Sequence, residues 1–270
     1  AVQAAQRALD MAQMEASELD LIVLATATPD RPAPASACMV QEKLGAHNAA
    51  GFDIAAVCSG ALFALTTACQ YIESGFYRNV MVIGADTFSN IIDWDRRDSV
   101  FFGDGAGALL LSATEEDRGF IGFDLNTDGS GRDGFTVPAG GSERPASEET
   151  LAQGLHCFQM DGPAVYNTAI KAVPESIEKL LSKTGVSIDK VACMLPHQPS
   201  IKILEEVARR VGLPWEKVRT NMDRYANTSG GTIPIVLDET WRSTEFNPGD
   251  HLLFAAVGAG WTWGTALYKV

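Results

Sequence analysis

Residues 19–29, LDLIVLATATP, and residues 188–199, IDKVACMLPHQP, read alike. Each follows a stretch with helical apolar spacing (AVQAAQRALDMAQ at 1–13, VYNTAIKAVPESIEKLLSKTG at 165–185), and each is an apolar run closed by a turn. A run that is apolar on both faces belongs in a parallel sheet covered by helices. The echo continues outward. VMVIGAD (80–86) with FGDGAGALLL (102–111) answers HLLFAAV (251–257) with GAGWTWGTALYKV (258–270), and the helix after Cys58 answers the helix after Asn227. A duplicated unit of alternating strands and helices predicts an α/β protein with two sheets, layered with helices outside and between them. The first half is expected in residues 1–150 and the second in 151–270, with a site where the halves meet near the strand ends.

The remaining elements fill this frame. SACMVQEKLG (36–45) reads as a helix ended by Gly45, AAGFDIAAV (49–57) as a short strand leading into Cys58, and SGALFALTTACQYIESG (59–75) as a helix stopped by Gly75. IKILEEVARRVG (201–212) and GTIPIVLDETWR (231–242) have amphipathic spacing, and the Gly/Pro/Ser-rich segment from Thr127 to Glu149 reads as a surface loop. At 46% hydrophobic and 20% charged residues, 270 residues can bury a substantial core. No apolar run approaches the ~20 residues of a membrane helix, and no charged-then-apolar leader opens the chain. Five scattered cysteines, Cys38, Cys58, Cys69, Cys157 and Cys193, argue against a disulfide framework and for a reducing, cytoplasmic compartment. With no C-x-x-C pair and four dispersed histidines, no metal site is expected. A net charge of −13 argues against a nucleic-acid partner.

Three residues carry candidate chemistry. Cys58 in DIAAVCSGAL lies between an apolar strand and a helix, among small neighbours that permit a tight turn. At a helix N-terminus the free N–H groups and the dipole favour thiolate. His197 in MLPHQPS ends an apolar strand, where a side chain enters a cleft. Asn227 in RYANTSGGTIP precedes a helix. Each taken alone also fits a bland part: a core cysteine, a structural histidine, an N-cap. GAGWTWG fits a tight hairpin, and Asp104 and Gly105 in FGDGAGA fit a turn.

Together the motifs LDLIVLATATPD, VCSG, FGDGAGA, LPHQPS, ANTSGG and GAGWTWG, which span almost the whole chain, resemble the ketoacyl-ACP synthase III group of the thiolase superfamily. Elongating ketoacyl synthases use two histidines where this chain has His197 and Asn227, and biosynthetic thiolases need a second cysteine near the C-terminus. The resemblance implies a thiolase-like fold in an α-β-α-β-α stack, a homodimer, and initiation of fatty acid synthesis or a related pathway. The implied reaction is a decarboxylative condensation of an acyl-CoA primer with malonyl-ACP, with no tightly bound cofactor. Cys58 would form the acyl-enzyme, His197 and Asn227 would donate to the enolate oxygen, and the Cys58 and Ala259 backbone N–H groups would form the oxyanion hole. The family usually has glycine at the Ala259 position.

By the same resemblance, Arg96 (or its neighbour Arg97) packs by the CoA adenine, and Gly162 and Ser200 contact pantetheine. Lys202, Arg209 and Arg210 present cations to the acidic carrier protein, although a solvated helix face reads equally well. Ala33 stands where many relatives place a phenylalanine that crosses the dimer interface to close the partner's acyl pocket, unless Phe63 or Trp261 fills that space. About fifty residues, with a first strand and part of the adenine site, precede this point in the family, so the sequence is expected to begin downstream of the natural start. The alternative function is acyl transfer from the same acyl-cysteine to a non-malonyl acceptor; a non-catalytic paralog is disfavoured because all three site residues are present.

Overall fold

A computed structural model describes residues 1–270. The chain opens with α1 (Val2–Ala12), β1 (Leu21–Ala25), α2 (Ser36–Leu44), β2 (Ala50–Ile54), α3 (Gly60–Glu73), β3 (Asn79–Thr87) and β4 (Asp104–Ser112). All five residues of β1 are buried, as its two-sided apolarity requires. It runs parallel to β2 on one side and β3 on the other, and β4 joins antiparallel to β3. Gly45 ends α2 at φ 71°, and Gly75 follows α3 at φ 73°.

The chain continues through β5 (Gly119–Thr127), β6 (Phe135–Thr136), α4 (Glu148–Ala152), β7 (Gln159–Met160), α5 (Gly162–Thr184), β8 (Val191–Pro196), α6 (Ile201–Val211), α7 (Met222–Tyr225), α8 (Thr232–Ser243), β9 (His251–Gly258) and β10 (Thr262–Lys269). The second sheet has the order β5-β10-β9-β8, with β8 and β9 parallel and β10 antiparallel to both its neighbours. A bridge from Met194 to Val218 takes the place beside β8 that β2 takes beside β1. The expected echo is therefore present, with β1, β3 and β4 corresponding to β8, β9 and β10.

Helices α1 and α2 cover the outer face of the first sheet, and α5 covers that of the second with α6 packed against it. Helices α3 and α8 lie between the sheets and touch both. Five layers result. The inner layer is held by Leu62, Leu65, Ile233 and Val236 against Leu195, Leu252 and Phe254, and full burial of one such side chain contributes roughly 1.5–3 kcal/mol.

Three features differ from the sequence reading. The strand β5 was not foreseen; it joins the second sheet although it precedes α5 by more than thirty residues. The segment 127–149 is more than a surface loop: Phe135 pairs through β6 with β7 and is buried, and Asp128 exchanges two backbone hydrogen bonds with Trp261. Asp104 and Gly105 begin β4 rather than shape a turn. Asp104 accepts from the N–H and hydroxyl of Ser89, tying down the turn after β3. A Cβ on Gly105 would lie 2.8 Å from Thr228 Cγ2, so glycine is what lets the Asn227 loop pack on β4.

Candidate active site

Cys58 lies in a one-turn 3-10 segment, Val57–Ser59, at the entry to α3. The turn is tight enough to hold Val57 at φ 46°, a conformation that a β-branched side chain disfavours. Ala226 (φ 57°) and Ser229 (φ 51°) flank Asn227 in the same left-handed range of φ. Three of the four non-glycine residues with positive φ thus surround Cys58 and Asn227. Such positions cost on the order of 1–3 kcal/mol each and persist where surrounding contacts impose them.

Those contacts are specific. Asn227 is held by the Phe101 carbonyl, which accepts from its N–H at 2.9 Å, and by the Gly103 N–H, which donates to its carbonyl at 3.0 Å. Its Oδ1 accepts from Ser229 N–H at 2.8 Å, so its amide nitrogen is turned toward the Cys58 sulfur. His197 follows β8, and its N–H donates to the Ala255 carbonyl on β9 at 2.8 Å. Its Nδ1 lies 2.8 Å from the Thr232 hydroxyl, which also reaches the Ser229 carbonyl. The hydroxyl has one proton: given to the Ser229 carbonyl it leaves Nδ1 as the protonated ring nitrogen, and turned to Nδ1 it leaves the ring proton on Nε2, the tautomer in which the imidazole donates toward the cavity.

Cys58, His197 and Asn227 meet on one cavity of about 190 Å³. Phe101, Phe102, Phe135, Val165, Val257 and Trp261 supply much of its apolar wall, and no lysine, arginine, aspartate or glutamate lines it. A larger open depression of about 470 Å³ lies beside Arg7, Asp30 and Lys43, but it holds no nucleophile and none of the expected site residues.

Burial sets the protonation states. His197 is 2% exposed and its pKa is pushed down to about 3, so the ring is neutral across the physiological range. Cys58 is also 2% exposed, and burial pushes its thiol up to about 12, with the polar groups of Ser229, Asn227 and its own N–H offsetting only part of that rise. Burial of the sulfur thus works against the stabilisation of a thiolate that the helix start provides.

The other expected residues divide. Ala259 joins the site in the β9–β10 turn, buried among Phe88, Phe135 and Trp261, and its N–H has no backbone or side-chain acceptor. A Cβ on Gly258 would fall 3.0 Å from the backbone nitrogens of Cys58 and Ser59, so glycine there lets this turn close on Cys58. Gly162 and Ser200 line the cavity at the starts of α5 and α6, with the Ser200 hydroxyl accepting from Ile203 N–H. Arg96 is outside the cavity wall, in a bidentate pair with Asp98, and Arg97 is exposed beside it. Arg209 and Arg210 both pair with Glu206, whose carboxyl they hold at about 2, while Lys202 has no ion-pair partner. Ala33 is exposed and does not line the cavity of its own chain, and neither does Phe63. The sequence reading missed Ser229, Thr232, the aromatic wall and a buried carboxylate, Asp86. Ser229 stands inside the quoted ANTSGG motif, and Asp86 closes the apolar run VMVIGAD.

Residues 52–129 match the family described as 3-oxoacyl-[acyl-carrier-protein] synthase III, and residues 181–270 match that family's C-terminal region. The chain belongs to the 3-oxoacyl-[acyl-carrier-protein] synthase III family. It is 46% identical to the beta-ketoacyl-[acyl-carrier-protein] synthase III of Desulfitobacterium hafniense (strain DSM 10664 / DCB-2), over 99% of this chain and 81% of that protein. It is 43% identical to the enzyme of the same description from Caldanaerobacter subterraneus subsp. tengcongensis, over 100% and 82%. The crystal structure of 3-oxoacyl-[acyl-carrier-protein] synthase III from Aquifex aeolicus VF5 superposes with a TM-score of 0.91 at 36% identity, covering 100% of this chain and 83% of that one. The thiolase-like fold and the family assignment expected from the motifs both hold.

Proposed function

We infer that this chain is an acyltransferase that condenses an acyl-CoA primer with malonyl-ACP to give 3-ketoacyl-ACP, initiating fatty acid synthesis, and that Cys58, His197 and Asn227 perform the chemistry. The observation that supports these roles is the meeting of the three side chains on one uncharged, aromatic-walled cavity. The Cys58 sulfur attacks the thioester carbonyl and CoA leaves, producing the acyl-enzyme. The Cys58 and Ala259 N–H groups face the resulting oxyanion; the Ala259 N–H is free to do so.

In the second half-reaction malonyl-ACP loses carbon dioxide, and its charge moves from a carboxylate to an enolate oxygen. A cavity without cations offers the carboxylate no ion pair, and it therefore does not favour the ground state. Neutral donors at Asn227 Nδ2 and His197 Nε2 hydrogen-bond the oxygen where charge develops. The carbanion then attacks the acyl carbonyl and Cys58 is released. Intact-mass measurement after mixing with a panel of acyl-CoAs, followed by malonyl-ACP with carbon dioxide release monitored, tests the scheme. Acyl loading without malonyl decarboxylation would instead mark a transferase to another acceptor.

Substrate delivery follows the surface. Lys202 supports carrier-protein docking better than its neighbours, because Glu206 already compensates Arg209 and Arg210. Lys202→Glu should raise the KM for malonyl-ACP several-fold while Arg209→Glu does less, and acyl-CoA loading should be unchanged in both. The effect should fade as salt rises, since exposed charges are screened over ~8–10 Å. Indifference of carrier-protein kinetics to Lys202→Glu and to salt contradicts the assignment. Arg96 can reach CoA only by releasing Asp98, and Gly162 and Ser200 line the path toward Cys58.

A homodimer and a cytoplasmic location accompany this reading; all five cysteines are free thiols, the state a reducing compartment keeps. No helix is long and apolar enough to cross a membrane. Exposed Ala33 would face the partner's acyl pocket and leave it roomy. Each methylene buried there contributes ~0.8 kcal/mol, close to fourfold in affinity. Loading of butyryl- and hexanoyl-CoA should thus match or exceed that of acetyl-CoA, and Ala33→Phe should restore a preference for acetyl. A steady decline from acetyl upward that Ala33→Phe leaves unaltered removes Ala33 from the pocket.

A further inference from the structure

Asp86 lies at the end of β3 and is 3% exposed. No cation meets it; every group bonded to its carboxylate is a backbone N–H or a hydroxyl. Its Oδ1 accepts from the Thr26 hydroxyl (3.1 Å), the Ala27 N–H (2.7 Å), and both the N–H (3.2 Å) and hydroxyl (3.1 Å) of Thr28. Its Oδ2 accepts from the Gly230 N–H at 2.9 Å. The two oxygens therefore hold two different segments: the loop after β1, and the loop that carries Asn227.

The Gly230 N–H belongs to the peptide between Ser229 and Gly230, which sets the course of the Asn227 loop. Ser229 holds φ 51°, and its N–H donates to Asn227 Oδ1 at 2.8 Å. The Ser229 carbonyl, at the other end of the peptide, accepts from the Thr232 hydroxyl. A left-handed φ at a serine persists only where contacts impose it. Of these partners Asp86 alone carries charge, and a hydrogen bond to a carboxylate is roughly twice as strong as one between neutral groups. Packing leaves the peptide little room to move, since a Cβ on Gly84 would overlap the Gly230 carbonyl. The Cys58 turn is held separately. There the N–H and hydroxyl of Ser59 donate to the Ala56 carbonyl, and the same hydroxyl meets that of Thr262 at 2.7 Å.

We propose that Asp86 is a positioning residue for the second half-reaction: it fixes the Ser229–Gly230 peptide, and through it aims the Asn227 amide at the enolate oxygen. This role rests on Asn227 being the enolate donor. A carboxylate suits the position because both of its oxygens must accept. A carboxamide of the same shape has one accepting oxygen and one donating nitrogen. With that oxygen kept by the four donors of Thr26, Ala27 and Thr28, its NH2 stands against the Gly230 N–H, donor against donor. Asp86→Asn thus keeps the loop after β1 tied and releases the loop of Asn227.

The test measures malonyl-ACP decarboxylation and acyl loading, the latter by intact mass, on the same preparations of the full chain. The wild type is compared with Asp86→Asn, Asn227→Ala and the double variant. Asp86→Asn should lower decarboxylation by about 10–10²-fold, the scale of a misplaced catalytic group, while loading on Cys58 stays near the wild-type rate. In the Asn227→Ala background the same substitution should add little, because a residue that acts through Asn227 then has nothing to aim. A purely structural effect would instead multiply with the loss of Asn227. Where Asp86→Asn does not fold, Thr26→Val, which removes one donor from Oδ1 and keeps the side-chain shape, should show the same split at several-fold size. Equal loss of both rates, unchanged decarboxylation, or multiplying losses in the double variant overturn the role of Asp86 and leave Asn227 as donor. Decarboxylation that survives Asn227→Ala removes the reading beneath it, and the role of Asp86 falls with that reading.

Discussion

Cys58→Ser should lower the rate of acyl-enzyme formation from acyl-CoA by at least about 10⁴-fold, the scale of losing a covalent nucleophile. Four other thiols are present, and their settings differ. Cys38 is exposed on α2, whereas Cys69 and Cys193 are buried in the core between the sheets. Cys157 is half-buried and outside the cavity wall. Of the five, Cys58 alone lines the cavity. Serine keeps the shape of the turn, but its hydroxyl is a far weaker acid than a thiol. The acylated wild type should carry its added mass on the peptide containing Cys58, and a mass on Cys38, Cys69, Cys157 or Cys193 would sink the assignment. The buried thiol also implies a pH signature. With the pKa at about 12, alkylation of Cys58 by iodoacetamide in the free enzyme should be slow at pH 7–8 and climb steadily through pH 9–12.

His197→Ala and Asn227→Ala should separate the half-reactions. Malonyl decarboxylation should fall by about 10²–10³-fold in each, the scale of removing one oxyanion-type donor. Acyl loading on Cys58 should change far less. Asn227 should show the split clearly, because its Oδ1 is occupied by Ser229 N–H and only its amide nitrogen can serve substrate. For His197 the effect should be independent of pH down to pH ~4, since a ring with a pKa of about 3 does not gain a proton above that point. Carbon dioxide release from malonyl-ACP and intact-mass loading, measured on the same preparations, give both rates. Equal loss of both half-reactions would mean that the two side chains act on the thiol rather than on the enolate. Thr232→Val, which leaves Nδ1 of His197 without its hydroxyl partner, should reproduce part of the His197→Ala loss.

Much of this architecture was legible along the chain because its signals are local. LIVLA reads as a buried strand from five consecutive apolar residues, and Gly45, Gly185 and Gly212 mark helix ends by their left-handed φ. The order Cys58, His197, Asn227 with its surrounding motifs was enough to name the family. β5 was missed because GFIGFDLNT carries two glycines and a buried aspartate; it becomes a strand only by pairing with β10, far away in sequence. Phe135 was assigned to a surface loop because composition alone describes the segment 127–149, whereas the aromatic packing of Phe88, Phe102 and Phe158 places that side chain at the site.

The sequence by itself determined most of the elements, the duplication and the family, and put forward three candidate reactive side chains, since periodicity, capping and motif order are properties of neighbouring residues. Only the tertiary structure sets the surroundings on which their chemical state depends. Whether Cys58 is thiol or thiolate depends on how fully distant segments remove it from water, and burial opposes the helix-start effect that the sequence supports. Asp86 and Ser229, 143 positions apart in the chain, became neighbours only when β3 and the Asn227 loop packed together through Gly230. Desolvation and long-range approach are sums over contacts that no local pattern encodes.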